Sequence, residues 1–352
     1  MPRGGLAANL ISMVPAIFGC SGTKLTPEER AFFRDADPAG YILFGRNCDN
    51  PEQLRALTDE LRAIHGRDHL LVSIDQEGGR VARLRPPHWA AYPSGEVFDR
   101  LYQLAPASAI EAARAGAKAM ALELSAMGIT VDYHPPLDLR QDGAHDVIGD
   151  RALGSEPMQI AAIGRAILDG LAAGGVTGCI KHMPGHGRSL VDTHKEMPTV
   201  QASVGELEAD LSPFRKLNCA LIGMTGHLKF PVWDENAPAT LSETIIRDII
   251  RGEIGFDGLL LTDDIDMEAL DGSVPERASR AIEAGCDIVL NCWAKMEDMQ
   301  GICERLPTMS EATHGRLDRA LEGTRITATI ANEAGDLLAK RDELLALAGE
   351  AA

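Results

Sequence analysis

Residues 181–194 read Lys-His-Met-Pro-Gly-His-Gly-Arg-Ser-Leu-Val-Asp-Thr-His and put three histidines, a lysine and an aspartate into 14 positions. An imidazole changes charge near neutral pH, and a nearby carboxylate can fix its tautomer and stabilise its protonated form. Asp192 and His194, two residues apart, are such a pair, suited to giving and taking a proton. The segment follows the apolar run Val176 to Ile180, which predicts that Lys181 and His182 stand where a strand ends. Pro184, Gly185 and Gly187 then predict a loop, because proline lacks an N–H and glycine tolerates unusual dihedrals. A second run, Gly258-Leu-Leu-Leu-Thr-Asp263-Asp264-Ile-Asp266, ends a short apolar strand on carboxylates. There a rigidly held aspartate could attack or stabilise an electrophilic carbon.

Groups so far apart in sequence need a scaffold that brings strand ends together. Candidate strands are 12–18, 41–44, 70–74, 130–133, 177–181, 221–225, 259–262 and 288–291. Helical periodicity fills the intervals at 27–35, 51–65, 107–127, 156–173, 204–216, 243–252 and 275–284. The alternation predicts an α/β fold, a single (β/α)8 TIM-type barrel. An open doubly wound sheet fits less well, since no Gly-x-Gly-x-x-Gly follows the first strand; Gly78-Gly79 lack that spacing, and a P-loop is absent. One catalytic domain over residues 1–352 is expected, the last 45 or so forming closing helices, because no Pro/Gly/Ser-rich linker intervenes. In such a barrel the strand C-termini carry the chemistry. The polar residues expected there are Asp75, Asp138, Arg151, Lys181, His182, His227, Asp263, Asp264 and Asn291.

Composition narrows the partners. With 34 basic against 52 acidic residues the formal charge is −18, which argues against nucleic acid or an anionic membrane as partner. Seven scattered cysteines without a Cys-x-x-Cys pair suggest reduced thiols and a cytoplasmic location. Cys179 and Cys286, in or beside apolar runs, are expected to be buried and inert. Leu10 to Cys20 faintly resembles a lipoprotein leader, but Pro15 interrupts it and only Arg3 charges its start, so it reads as the first strand. No stretch is long and apolar enough for a membrane span.

The collected residues are rich in carboxylates and hydrogen-bonding cations but lack a Gly-x-Ser-x-Gly nucleophile elbow. A metal-dependent hydrolase using His182, His186, His194 and an aspartate is conceivable. The amidohydrolase type of barrel wants His-x-His after its first strand, however, and the ten histidines contain no such pair. Neither metal nor cofactor is expected. Glycoside hydrolysis fits better: one carboxylate at the anomeric carbon, one proton donor, and charged side chains on sugar hydroxyls.

The run from Gly258 to Asp266 resembles the nucleophile signature of family 3 glycoside hydrolases, and Lys181 to Gly187 with Asp192-Thr-His194 resembles its bacterial β-N-acetylglucosaminidase branch (NagZ type). Ile42-Leu-Phe-Gly-Arg-Asn47, Ser73-Ile-Asp-Gln-Glu-Gly-Gly-Arg-Val-Ala-Arg83 and Ile148-Gly-Asp-Arg151 match in the same order, so the resemblance covers roughly residues 12–295. It implies Asp263 as nucleophile and His194, partnered by Asp192, as general acid/base. It further implies Asp75, Arg83, Arg151, Lys181 and His182 as ligands of the terminal sugar. Met183 stands where an aromatic is frequent and Thr193 where a serine is, neither at a proposed catalytic atom. The expected activity is retaining hydrolysis of terminal β-linked N-acetylglucosamine from muropeptides or chitooligosaccharides. A β-glucosidase-like or phosphorolytic member of the family is the alternative, and a non-catalytic sugar-binding barrel a further one.

Overall fold

The structure, a computed structural model, describes residues 13–141, 143, 146–189, 197–328, 330 and 332–349. Ten strands occur among them: β1 (Val14–Gly19), β2 (Pro38–Leu43), β3 (Leu71–Ile74), β4 (Val131–Asp132), β5 (Thr177–Met183), β6 (Ile222–Thr225), β7 (Lys229–Phe230), β8 (Asp234–Pro238), β9 (Leu259–Asp264) and β10 (Ile288–Asn291). Eight close into a parallel barrel in the order β1-β10-β9-β6-β5-β4-β3-β2, with β7 and β8 forming a separate two-stranded sheet. Closure comes from β1, which pairs with β2 on one side and with β10 on the other.

Alternation along each strand divides the apolar residues between two regions. Ile17, Ile42, Leu71, Val131, Cys179, Ile222, Leu259, Leu261 and Ile288 fill the barrel interior. Their neighbours Phe18, Tyr41, Val72, Ile180, Leu260 and Val289 pack outward under the helices. Strands apolar on both faces follow from this two-sided burial.

The helices are α1 (Pro27–Ala36), α2 (Pro51–His65), α3 (Gly95–Leu104), α4 (Pro106–Ala126), α5 (Pro157–Ala173), α6 (Val204–Lys216), α7 (Val274–Ala284), α8 (Met296–Arg305), α9 (Glu311–Leu321) and α10 (Glu333–Leu345). Their starts are written in the sequence: Thr26 and Glu29 form a reciprocal capping box on α1, as Ser203 and Glu206 do on α6. Helix α9 stops the lower end of the barrel, where Leu317, Ala320 and Leu321 join the interior cluster and the Thr177 hydroxyl donates to Ala320 O at 2.6 Å. Helix α10 lies over α3 and α4. Its Arg341 donates to Ala91 O at 3.0 Å, with the guanidinium 5.4 Å from the Tyr92 ring centre.

Three features depart from the sequence reading. Helix α3 precedes the expected long helix and abuts it, α4 beginning at Pro106 directly after Ala105 caps α3. The segment Ile245–Glu253 is a π-helix, continued by the Ile254 N–H reaching Ile249 O five residues back. The β7–β8 sheet is held where the Asp234 carboxylate accepts the Asn236 and Ala237 N–H groups and the Ser242 hydroxyl. No described helix is long and apolar enough to cross a membrane.

Candidate active site

The strand C-termini surround a cleft of about 290 Å³ whose lining includes Phe44, Asp75, Arg83, Arg151, Lys181, His182, His186, Asp263, Asp264 and Cys292. Every sugar-contacting residue expected from sequence is among them. Asp192 and His194, the expected proton-transfer pair, lie outside the described residues; the chain around them is described to Ser189 and again from Met197.

One wall is an ionic network. Asp75, directly after β3, accepts from Lys181 Nζ at 3.0 Å and Arg83 Nη2 at 3.2 Å. Lys181 also reaches Glu77 Oε1 at 2.6 Å, and Glu77 takes a two-pronged pair from Arg151, Nε and Nη2 each at 2.8 Å. Burial opposes the charges of Asp75 and Glu77, but Lys181 with Arg83 or Arg151 overcomes it and holds both carboxyls below their usual range. Burial likewise opposes the Lys181 charge, yet Glu77 and Asp75 push its pKa above the ordinary lysine value. Lys181 is therefore an ammonium fixed in place although only 1% exposed. Arg83 Nε is buried and has no hydrogen-bond partner among the described residues, which leaves a donor beside the cleft. Sequence reasoning missed Glu77, although it stands two residues after Asp75 in a run where Gly78 and Gly79 both take positive φ.

The residue after Lys181 in β5, His182, begins a group of imidazoles. Asp138 is fully buried and accepts His182 Nδ1 at 2.8 Å, so the carboxylate sets the tautomer and leaves Nε2 for the cleft. The other Asp138 oxygen accepts the backbone N–H groups of His182 and His186, at 3.2 and 2.7 Å. The two rings stand edge to face, centres 5.6 Å apart. Burial, with His182 adding to it, lowers the His186 pKa to about 4. His227 bonds a carbonyl, Asp264 O, through Nε2 at 2.9 Å; since a carbonyl only accepts, Nε2 carries the proton.

The end of β9 and the turn after it carry three carboxyls with different fates. Burial alone would raise Asp263, but His182 and His227 outweigh it and bring its pKa down to about 2. Asp263 also accepts the Asp264 N–H at 2.8 Å. Burial, then the proximity of Asp266, pushes Asp264 well above the carboxylate range. Strand alternation predicts opposite faces for these neighbours, yet both border the cleft, because the β10–β9 register shifts between Ile288 and Leu290. The direction in which their surroundings shift each pKa, not orientation, distinguishes them. Asp266 accepts from Asn291 Nδ2 at 2.9 Å, Cys292 N at 2.9 Å and Trp293 N at 3.2 Å. It braces the chain leaving β10.

This arrangement sets paired carboxylates and cations, Asp75 and Glu77 with Lys181, Arg83 and Arg151, around a cleft that also holds the ionised Asp263, and is suited to polar rings bearing several hydroxyls. Comparison with known proteins agrees. The family model described as "Glycosyl hydrolase family 3 N terminal domain" matches residues 9–327. A β-hexosaminidase of Alkalilimnicola ehrlichii is 39% identical over 310 residues, 87% of this chain and 88% of that protein. NagZ from Neisseria gonorrhoeae, crystallised with N-trifluoroacetyl-D-glucosamine, superposes with a TM-score of 0.86 at 32% identity, covering 96% of this chain and 99% of the other. A family 3 β-N-acetylglucosaminidase from Paenibacillus superposes with a TM-score of 0.85 at 29% identity, covering 97% of this chain and 69% of that one. With a family match over most of its length and relatives at this identity, the chain belongs to glycosyl hydrolase family 3.

Proposed function

We propose that this protein is a retaining β-N-acetylhexosaminidase that removes terminal β-linked N-acetylglucosamine through a covalent glycosyl-aspartate intermediate. The observation that carries the reading is Asp263, an ionised carboxylate bordering a cleft lined by sugar-binding charges. The names of the relatives support the choice of sugar.

In the first half-reaction an Asp263 oxygen forms a bond to the anomeric carbon as the bond to the leaving oxygen breaks. His194 gives that oxygen its proton, with Asp192 stabilising the imidazole and its tautomer. Water then attacks the same carbon, His194 takes its proton, and the Asp263–carbon bond breaks. Proton transfer of this kind contributes about 10²–10⁴-fold. Asp75, Arg83, Lys181 and His182 hold the hydroxyls of the terminal sugar. Arg151 completes the set of sugar ligands and also pairs with Glu77, which Lys181 shares.

The reading extends to one catalytic domain acting on muropeptides in the cytoplasm. Seven free cysteines support a reducing compartment. Trapping with a fluorinated N-acetylglucosamine donor, followed by peptide mapping, tests the mechanism. A label on Asp263 is expected; an active enzyme that leaves Asp263 unlabelled would point to participation of the 2-acetamido group instead.

A further inference from the structure

The cleft, at about 290 Å³, sits at the small end of ligand pockets, which run about 300–1,000 Å³, and has room for little more than one sugar ring. Whatever is attached beyond the scissile bond must lie over the rim. Phe44 already lines the cleft; of the three tryptophans, Trp89 is buried and Trp233 packs on Phe230 with ring centres 5.2 Å apart. Trp293 is different. It is 63% exposed and is the one aromatic among the large exposed apolar side chains described. It directly follows Cys292, which borders the cleft, so its Cα lies about 3.8 Å from that of a lining residue.

The backbone that presents it is held from several sides. Asp266 accepts the N–H groups of both Cys292 and Trp293, at 2.9 and 3.2 Å. Arg46 Nη2 donates to Cys292 O, and that same carbonyl lies where a side chain at Gly19 would stand, 2.4 Å from an ideal Cβ. Ala294 takes φ +55, a left-handed conformation that is unfavourable for a non-glycine residue and persists only where surrounding contacts impose it. Lys295 sets its ammonium 5.4 Å from the indole centre. A flexible surface tryptophan needs none of this bracing. An indole carried on a braced backbone one residue from the cleft wall offers a large, amphipathic face at little entropic cost.

We propose that Trp293 is the platform on which the sugar of the leaving group stacks, making it a determinant of preference for saccharide over simple aglycones. The inference rests on the hexosaminidase reading above. Trp293→Ala and Trp293→Phe are compared with the parent enzyme on chitotriose, with free N-acetylglucosamine as a competitive inhibitor of the single-sugar cleft. The expected result is a KM for chitotriose raised about tenfold in W293A, equivalent to about 1.4 kcal/mol. W293F should stay within about threefold, and the inhibition constant of N-acetylglucosamine should not change in either variant. Indole emission of the parent should shift on adding thio-linked chitobiose, and W293F should lose that shift; this readout stands even if W293A does not fold. An unchanged KM for chitotriose in W293A, an equal rise in KM and inhibition constant, or an emission shift retained in W293F overturns the proposal. If the parent protein cleaves neither chitotriose nor a chromogenic N-acetylglucosaminide, the hexosaminidase reading itself fails and takes this one with it.

Discussion

Two adjacent aspartates, alike in sequence, are shifted in opposite directions by their surroundings, and that difference assigns their work. Asp263 is held near a pKa of 2 by His182 and His227 against its own burial, whereas Asp264 is pushed up by burial and by Asp266. Asparagine mimics a neutral acid but not a nucleophile. D264N should therefore retain kcat within about tenfold, while D263N should lose at least about 10³-fold. Steady-state assays on p-nitrophenyl N-acetylglucosaminide separate the two. Replacing His194 by alanine should slow chitobiose far more than p-nitrophenyl substrates, whose leaving group needs little protonation; equal losses on both would count against His194 as the acid. Glu77 is a residue sequence reading passed over, because its importance lies in partners 74 and 104 positions away, Arg151 and Lys181. E77Q leaves two buried cations short of an anion and should cost about 3–5 kcal/mol in urea unfolding. A surface glutamate would change stability by less than about 0.5 kcal/mol.

At the scale of elements, apolar runs announced every barrel strand to within a few residues, and Val204–Lys216 and Pro51–His65 matched their observed bounds. Strands buried on both faces have little choice but continuous apolar sequence, which makes them easy to see. Helix α3 escaped because its ten residues abut α4 without a glycine between them, and the β7–β8 sheet because it rests on an aspartate's local hydrogen bonds rather than on apolar alternation. The loop after β5 was legible for the wrong reason at one position. Gly185 does use unusual backbone space, φ +140, but Gly187 is glycine because a Cβ there would stand 1.7 Å from Leu139 O. G187A must displace the chain that carries Asp138, the anchor of His182. It should lower kcat/KM by more than about tenfold. G205A, where a Cβ meets nothing within 4 Å, should leave activity unchanged and stabilise α6 slightly.

For the molecule as a whole, acid is the predicted weakness. His134 is 6% exposed, its Nδ1 has no hydrogen-bond partner among the described residues, and burial lowers its pKa to about 4 despite the opposing charge of Glu77. The unfolded chain, with the ordinary value of about 6.5, binds that proton first. Stability is therefore fully present above pH 6.5 and falls as pH drops from about 6.5 to about 4, by up to about 3 kcal/mol from this residue. Urea midpoints across that range should fall less steeply for H134Q than for the parent; parallel curves would remove His134 from the account. The barrel seam has its own consequence. Because β1 finds its second neighbour only in β10, and Leu290 and Cys292 supply part of the cleft wall, a ribosome-bound chain has no complete pocket until residues near 292 have emerged. Sugar recognition is thus withheld through most of synthesis, and a nascent chain stalled before that point would present an unsealed sheet to whatever quality-control factors survey it.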